Sequence, residues 1–291
     1  MVASGLVVGF ATGGFPAYSK EISQLALAVG MMFSLSEITL EGISPRAELR
    51  GFLVSFAMTY VLLSGVILAF AYASEEAAIR DGWVLMAAVP PAVAVVPITA
   101  YLKGDTRRAL VSLAILYLLG LVLVPLVTVA FTTQAVPISE LVLQTVLLVG
   151  LPLVASRGIA QWPRGRESRS TVVSVSFFFL VTAIAGSTRG PLLARPDVLG
   201  ILSLLALLRT FGVGGLVLLV SRAVGTSRET RLSLTAFASF KNLGLTVVLA
   251  FAVFGPTATL PSIVSLVFEI LWLAALPLLF RASDPPGPAP V

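Results

Sequence analysis

Three ionisable residues sit where charge is most costly in this chain, at the centres of long apolar runs. Arg209 lies within VLGILSLLALLRTFGVGGLVLLV, Lys241 within LSLTAFASFKNLGLTVVLAFAVF, and Glu269 within PSIVSLVFEILWLAALPLLF. Each costs about 2.5–3.5 kcal/mol at the middle of a membrane helix on insertion scales, so such residues mark ion or substrate pathways. Two cations and one anion leave a net positive charge at mid-depth, which suits an anionic ligand. A buried lysine can also exchange a proton, because burial and a nearby carboxylate act on it in opposite senses. The plainer alternative is a permanent pair, Lys241 or Arg209 with Glu269, that ties two helices together.

The residues that could do other chemistry are missing. The chain has 291 residues with no Cys and no His, so disulfides, thiolate metal sites and nucleophile–histidine triads are excluded. No phosphate loop or acid cluster appears, and an enzyme is not expected. Hydrophobic residues make up 57% and charged residues 11%. A soluble domain carries about 25% charged residues, so most of this chain must face lipid.

About 20 apolar residues span a hydrocarbon core as a helix. Ten such segments are read at roughly 3–18, 23–40, 50–73, 83–102, 109–131, 140–156, 171–187, 198–220, 232–254 and 261–280. With the N-terminus placed inside, the inner loops and tail hold Arg46, Arg50, Lys103, Arg107, Arg108, Arg157, Arg164, Arg166, Arg169, Arg222, Arg228, Arg231 and Arg281. The outer loops hold Lys20, Arg80, Arg189 and Arg195. This bias predicts both termini in the cytoplasm of a multi-pass cell-membrane protein. Topology explains the basic loops, and no nucleic-acid partner is expected. Glu37, near an inner end, is read as snorkelling toward Arg46. The longest loop, about 157–170, is too short to fold alone, and the Pro-rich tail 282–291 is expected to be disordered.

Ten spans divide into halves, 1–135 and 136–281. Five spans each would set the halves upside down relative to one another, the inverted-repeat layout of many carriers. The fourth and ninth spans are then counterparts, and both are interrupted. The fourth holds Pro90, Pro91 and Pro97 with Thr99; the ninth holds Ser239, Lys241, Asn242, Gly244 and Thr246. Carbonyls freed by such breaks need protein, water or ligand as partners. The expectation is an all-α membrane protein whose broken fourth and ninth helices cross at the midplane.

These stretches resemble the bile acid:sodium symporter family. ALAVGMMFSLSEITLEGI is similar to its second helix, AAVPPAVAVVPITAYLKGD to its fourth, and SFKNLGLTVVLAF followed by FGPTATLPS to its ninth and the loop that follows. The resemblance runs from about residue 24 to about 280. It implies two inverted five-helix repeats, with a panel of the first, second, sixth and seventh helices on a six-helix core. It also implies transport of a solute at the crossover. The family's sodium ligands do not carry over: the fourth-helix Ser-Asn pair aligns with Val95 and Val96, the ninth-helix Glu with Phe237, the neighbouring Gln with Lys241, and a third-helix Gln with Ser55. Hard cations need oxygen ligands. The resemblance thus implies an ammonium, Lys241, in place of the metal ion, and no cofactor. LVFEILWL is similar to the arsenite-efflux relatives in the wider superfamily, which also includes auxin-efflux-like carriers. Those arsenite carriers use a cysteine that this chain lacks.

The reading that follows is a secondary carrier of a small organic anion, sodium-independent, with proton coupling an option. A sodium symporter using Thr99, Ser112, Thr235 and Thr246 is one alternative, and a membrane sensor or scaffold is another. The partners are the lipid bilayer and the anion. Direction of transport, substrate and oligomeric state stay open.

Overall fold

The computed structural model describes residues 2–36, 45–132, 136–194 and 196–281. Glu37 and the tail 282–291 lie outside the described residues. Among the described residues the chain is helical without strands. In chain order, α1 is Val2–Thr12 and α2 is Ser19–Leu35. The long α3 runs from Pro45–Phe56 through a π-helical stretch, Ala57–Leu63, into Ser64–Ala73. Next come α4 (Ala77–Ala88), α5 (Val95–Tyr101) and α6 (Thr106–Phe131). The seventh helix, α7, joins Ile138–Thr145, a π stretch Val146–Gly150, and Leu151–Gln161. It is followed by α8 (Pro163–Leu193). A third π stretch, Leu208–Gly212, lies within α9, between Pro196–Leu207 and Val213–Ala223. The chain closes with α10 (Arg228–Phe237), α11 (Leu243–Phe254), a 3-10 turn Pro256–Thr259, and α12 (Leu260–Arg281).

Among the described residues, six helical runs are long and apolar enough to cross a membrane: Leu49–Ala73, Thr106–Phe131, Ile138–Gln161, Pro163–Gly190, Pro196–Ala223 and Pro256–Phe280. Their outer surfaces carry large apolar side chains such as Val61, Val122, Val154, Leu204, Leu219 and Leu278, all mostly exposed. Water would not tolerate a belt of this extent, so the chain is a multi-pass membrane protein.

The predicted fourth and ninth spans are each two helices. Pro90 and Pro91 end α4, and α5 starts afresh at Val95. The helix α10 stops at Phe237, and Asn242 opens α11 by accepting the Leu245 amide at 3.0 Å. The two breaks pair with each other as an antiparallel bridge between Pro91 and Lys241. The Asn242 amide donates to Pro90 O at 3.0 Å, and the Ala92 amide to Phe240 O at 3.3 Å. Backbone groups stripped of helical partners thus satisfy one another inside the bundle, which a low-dielectric interior demands.

Two sets of helices are evident from their contacts. In one, α8 packs on α1 and α2, and α7 joins α2. In the other, α3, α4, α6, α9, α10, α11 and α12 pack around the paired breaks. Small residues set the close approaches. A side chain at Gly9 of α1 would meet Thr182 O of α8 at 2.7 Å, and one at Gly82 of α4 would run into Ala258 O.

Two sequence expectations need correction. The loop expected at about 157–170 reduces to Trp162, because Pro163 is well placed at the first position of α8, which extends to Leu193. The first span, expected at 3–18, stops at Thr12, where Gly13 and Gly14 take positive φ values of 80° and 76°. Several basic loop residues also cap helix ends: Arg157 donates to Leu35 O at 2.6 Å, Arg228 to Leu102 O at 2.7 Å, and Arg222 to Leu279 O at 2.8 Å.

Replacing Gly82 by Ala forces a methyl into the Ala258 carbonyl. The expected cost is about 1–3 kcal/mol from overpacking, read as a lower melting temperature in detergent. An unchanged melt would contradict this packing.

Candidate functional site

The break in α4 determines what surrounds Lys241. In an unbroken helix Ala87 O would accept from the amide four residues on, but that residue is Pro91, which has none. The Lys241 ammonium takes its place. Its Nζ donates to Ala87 O at 2.9 Å, Val89 O at 2.8 Å and Ser64 Oγ at 2.8 Å, and lies 4.5 Å from the centre of the Tyr60 ring. An ammonium has three donors, and all three are used. The carbonyls belong to the C-terminal end of α4, where the helix dipole favours a cation. Tyr60 lies in the π stretch of α3, and Ser64 directly follows it. Lys241 is completely buried.

The other two charges pair with each other. Arg209, in the π stretch of α9, donates through Nη2 to Glu269 Oε1 on α12. The same oxygen accepts the backbone amide of Lys241 at 3.1 Å. Arg209 is 0% exposed and Glu269 is 7% exposed. The expected trio therefore meets at the crossover but splits: the Lys241 ammonium points toward α3 and α4, while the Arg209–Glu269 pair lies on the α9–α12 side. Of the pairings open in the sequence, Arg209 with Glu269 is the one formed; Lys241 reaches Glu269 through its main chain alone.

Beside the crossover lies a cavity of about 550 Å³, a volume typical of small-molecule sites. One wall is α8, with Phe177, Leu180 and Ile184; Met31 of α2 adds to it. The facing wall carries Val93, Pro97, Asn242, Gly244, Val247 and Glu269. Exposed Arg166 and Ser170, in the first turns of α8, line its mouth with Glu167 and Arg169. The body is apolar, and polar groups concentrate at the crossover and the mouth.

The remaining expected site residues have definite places. Asn242 donates to Tyr117 OH at 2.7 Å while capping α11. Pro90 and Pro91 form the break, and Pro97 and Gly244 line the cavity. Thr99 and Thr246 donate to carbonyls of their own helices, Val95 O at 2.7 Å and Asn242 O at 3.0 Å. Ser239 donates to Thr235 O at 2.6 Å, and Gly214 of α9 leaves the room it needs. Ser55 lies elsewhere. It lines a second cavity of about 790 Å³ with Arg50, Asp105, Arg108 and Glu229, and donates to Gly51 O at 3.0 Å.

Val95, Val96 and Phe237 are buried in the apolar core. Their side chains supply no oxygen, so these three of the positions that align with the symporters' sodium ligands offer a hard cation no side-chain ligand. Among the described residues no group of three or more acidic, His or Cys residues could hold a metal. Sequence reasoning missed Tyr60, Ser64 and Tyr117. All three sit within the third and fifth spans, where polar residues in an apolar run were the available signal.

A sequence model of the SBF-like CPA transporter family matches residues 11–281. The chain belongs to that family. The SBF-like family is part of the bile acid:sodium symporter superfamily, so the resemblance carried by the second, fourth and ninth spans is a true relationship. No curated protein is a significant match to the sequence. Membership in a transporter family fits a membrane protein with a cavity beside two paired helix breaks.

Replacing Lys241 by Met strips Val89 O of its ammonium donor and leaves Ala87 O with the Ser64 hydroxyl alone, which donates to it at 2.6 Å. A carbonyl so stripped costs about 1–3 kcal/mol, so a loss of thermal stability is expected, with Ser64→Ala costing less than Lys241→Met. Glu269→Ala strands a buried guanidinium at about 3–5 kcal/mol, whereas a double Arg209→Met/Glu269→Leu change should cost less than that single one. Equal melts for the single and double variants would refute the pairing.

Proposed function

We propose that the protein is a secondary carrier of an amphipathic organic anion that works without sodium. The cavity beside the crossover carries this reading. Its apolar body suits a hydrophobic skeleton, and the uncompensated charge of Lys241 lies just behind its floor. The α11 N-terminus at the floor adds the positive end of a helix dipole. Bile-acid-like, pantoate-like and 2-oxo acids are the substrate classes in view.

In this reading the ammonium does the work of a coupling cation. A metal ion at a helix crossover neutralises the carbonyls that two breaks leave behind. Here Lys241 supplies the same unit charge, covalently attached, on the same kind of oxygen ligands. The architecture is read as two inverted repeats of five spans, meeting near residue 135. Supporting this, the third and eighth spans both carry a π stretch, Ala57–Leu63 and Leu208–Gly212, beside the breaks of the fourth and ninth. The set of α1, α2, α7 and α8 acts as the panel and the remaining helices as the core, and movement of one against the other exposes the cavity to each side in turn. Both termini are placed in the cytoplasm, so the mouth at Arg166 and Arg169 faces inward.

Purified protein in liposomes, assayed for uptake of labelled cholate and decanoate, tests this. Rates should be equal in sodium and potassium media. Uptake that requires sodium, or no uptake of either anion, would overturn the reading.

A further inference from the structure

We propose that Glu269 and Arg209 form a proton-operated latch on the anion site, making transport a proton–anion symport. This deepens the carrier reading above and rests on it.

The latch is defined by how unequally the two partners are satisfied. Arg209 donates to Glu269 Oε1 through Nη2, while its Nε and Nη1 are buried with no hydrogen-bond partner among the described residues. A guanidinium is shaped for two parallel bonds to one carboxylate. Here the single oxygen Oε1 takes both the Nη2 bond and the Lys241 amide. Glu269 lines the cavity and Arg209 does not. The arginine therefore stands one carboxylate away from the solute space, incompletely paired.

Lys241 does not compete for this role, since its three donors are committed to Ser64, Ala87 and Val89. The elements around α12 bring few other charges. The helix α11 has none beyond Lys241 at its start. Arg80 and Asp81 lie in the first turns of α4. Arg222 of α9 is bonded to Leu279 O, and α8 carries its charges at the mouth and at Arg189. Arg209 and Lys241 thus set the field at Glu269.

When a proton from water in the cavity adds to the Glu269 carboxylate, the charge that held Arg209 is gone. Two cations are then left at the crossover with no anion. The Arg209–Glu269 bond opens, and the guanidinium takes the carboxylate of an entering solute in its place. One proton and one negative charge have entered, so the loaded site carries the same net charge as the empty one. Release of the solute returns Arg209 to Glu269 and expels the proton. Proton and anion must then strengthen each other's binding by equal factors.

The test uses the full chain in lipid nanodiscs with labelled decanoate as the probe. Wild-type affinity should weaken by about tenfold per pH unit across the range where Glu269 ionises in the free protein but not in the complex, scanned from about pH 5 to pH 8. Glu269→Gln keeps an oxygen for Arg209 and removes the titration. Its affinity should stay at the acid value of the wild type throughout. Decanoate should also induce a protonated-carboxyl infrared band in the wild type that Glu269→Gln lacks. Arg209→Gln/Glu269→Gln removes both charges together and should lose decanoate binding. A pH-dependent Glu269→Gln variant, pH-independent wild-type binding, or a double variant that binds like the wild type each overturns the latch. If wild-type liposomes exchange decanoate without any pH dependence, the latch falls and the carrier stands. If they exchange none while binding still follows pH and the infrared band appears, the carrier falls and the latch stands.

Discussion

An ammonium seated on the carbonyls of a broken helix holds the centre of this protein together. Pro90 and Pro91 interrupt α4 in the bundle interior, leaving oxygens that lipid cannot satisfy. Lys241 meets them from the opposing break, and its own backbone joins the Pro91 bridge. Neither break is stable alone: without the lysine Val89 O loses its donor and Ala87 O keeps only the Ser64 hydroxyl, and without the carbonyls a bare charge is buried. The π stretch of α3 belongs to the same arrangement, since it places Tyr60 under the charge and Ser64 beside it. A hydrophobic residue at 241 would keep the backbone bonds between the breaks but leave Val89 O without its donor.

From this centre the site acquires two unlike sides. Toward α3 and α4 every polar contact of the ammonium is filled. Toward α9 and α12 the pair of Arg209 and Glu269 shares one oxygen and leaves guanidinium nitrogens unpartnered among the described residues. The cavity opens on the second side. Structural commitment and chemical availability are thus separated across a few ångströms, with the Lys241 main chain as the divider. Buried ion pairs add little stability over apolar packing. An incompletely bonded one beside a cavity is the part of this centre that the proposed carrier would use for exchange.

Much of this was legible in the sequence. The prolines at 90, 91 and 97 and the Asn-Leu-Gly after Lys241 announced two interrupted helices, because breaks are written in residues with strong local preferences. The three charges announced their meeting at the crossover in the same way, since their cost in lipid sets them apart from every neighbour in their spans. Their pairing was not legible. Whether Glu269 takes Arg209 or Lys241 depends on the turn from which each side chain leaves its helix, and the π stretch at Leu208–Gly212 shifts Arg209 around α9 without a sequence signature. Ser64 and Tyr60 were hidden among ordinary residues of a third span whose partner break lies far along the chain. The start of α8 was misjudged because a polar, Arg-rich segment looks like a loop, although Pro163 at a first helical position begins a helix. Only alignment singles out Ser55, and its position beside a different cavity reflects how little one aligned residue says about direction.

The fixed charge of Lys241 has an electrical consequence. In the proposed carrier a dissolved coupling ion would leave after each cycle, whereas this ammonium stays with the polypeptide. With Arg209 and Glu269 neutralising each other, the helices around the crossover bear one unit of positive charge near mid-depth. In the proposed carrier, movement of those helices along the membrane normal would carry that charge through the voltage drop, and complete passage across 100 mV is worth about 2.3 kcal/mol. On that proposal a cell interior held negative would draw the empty protein toward the inner face, so the resting potential itself would bias which way an unloaded molecule faces.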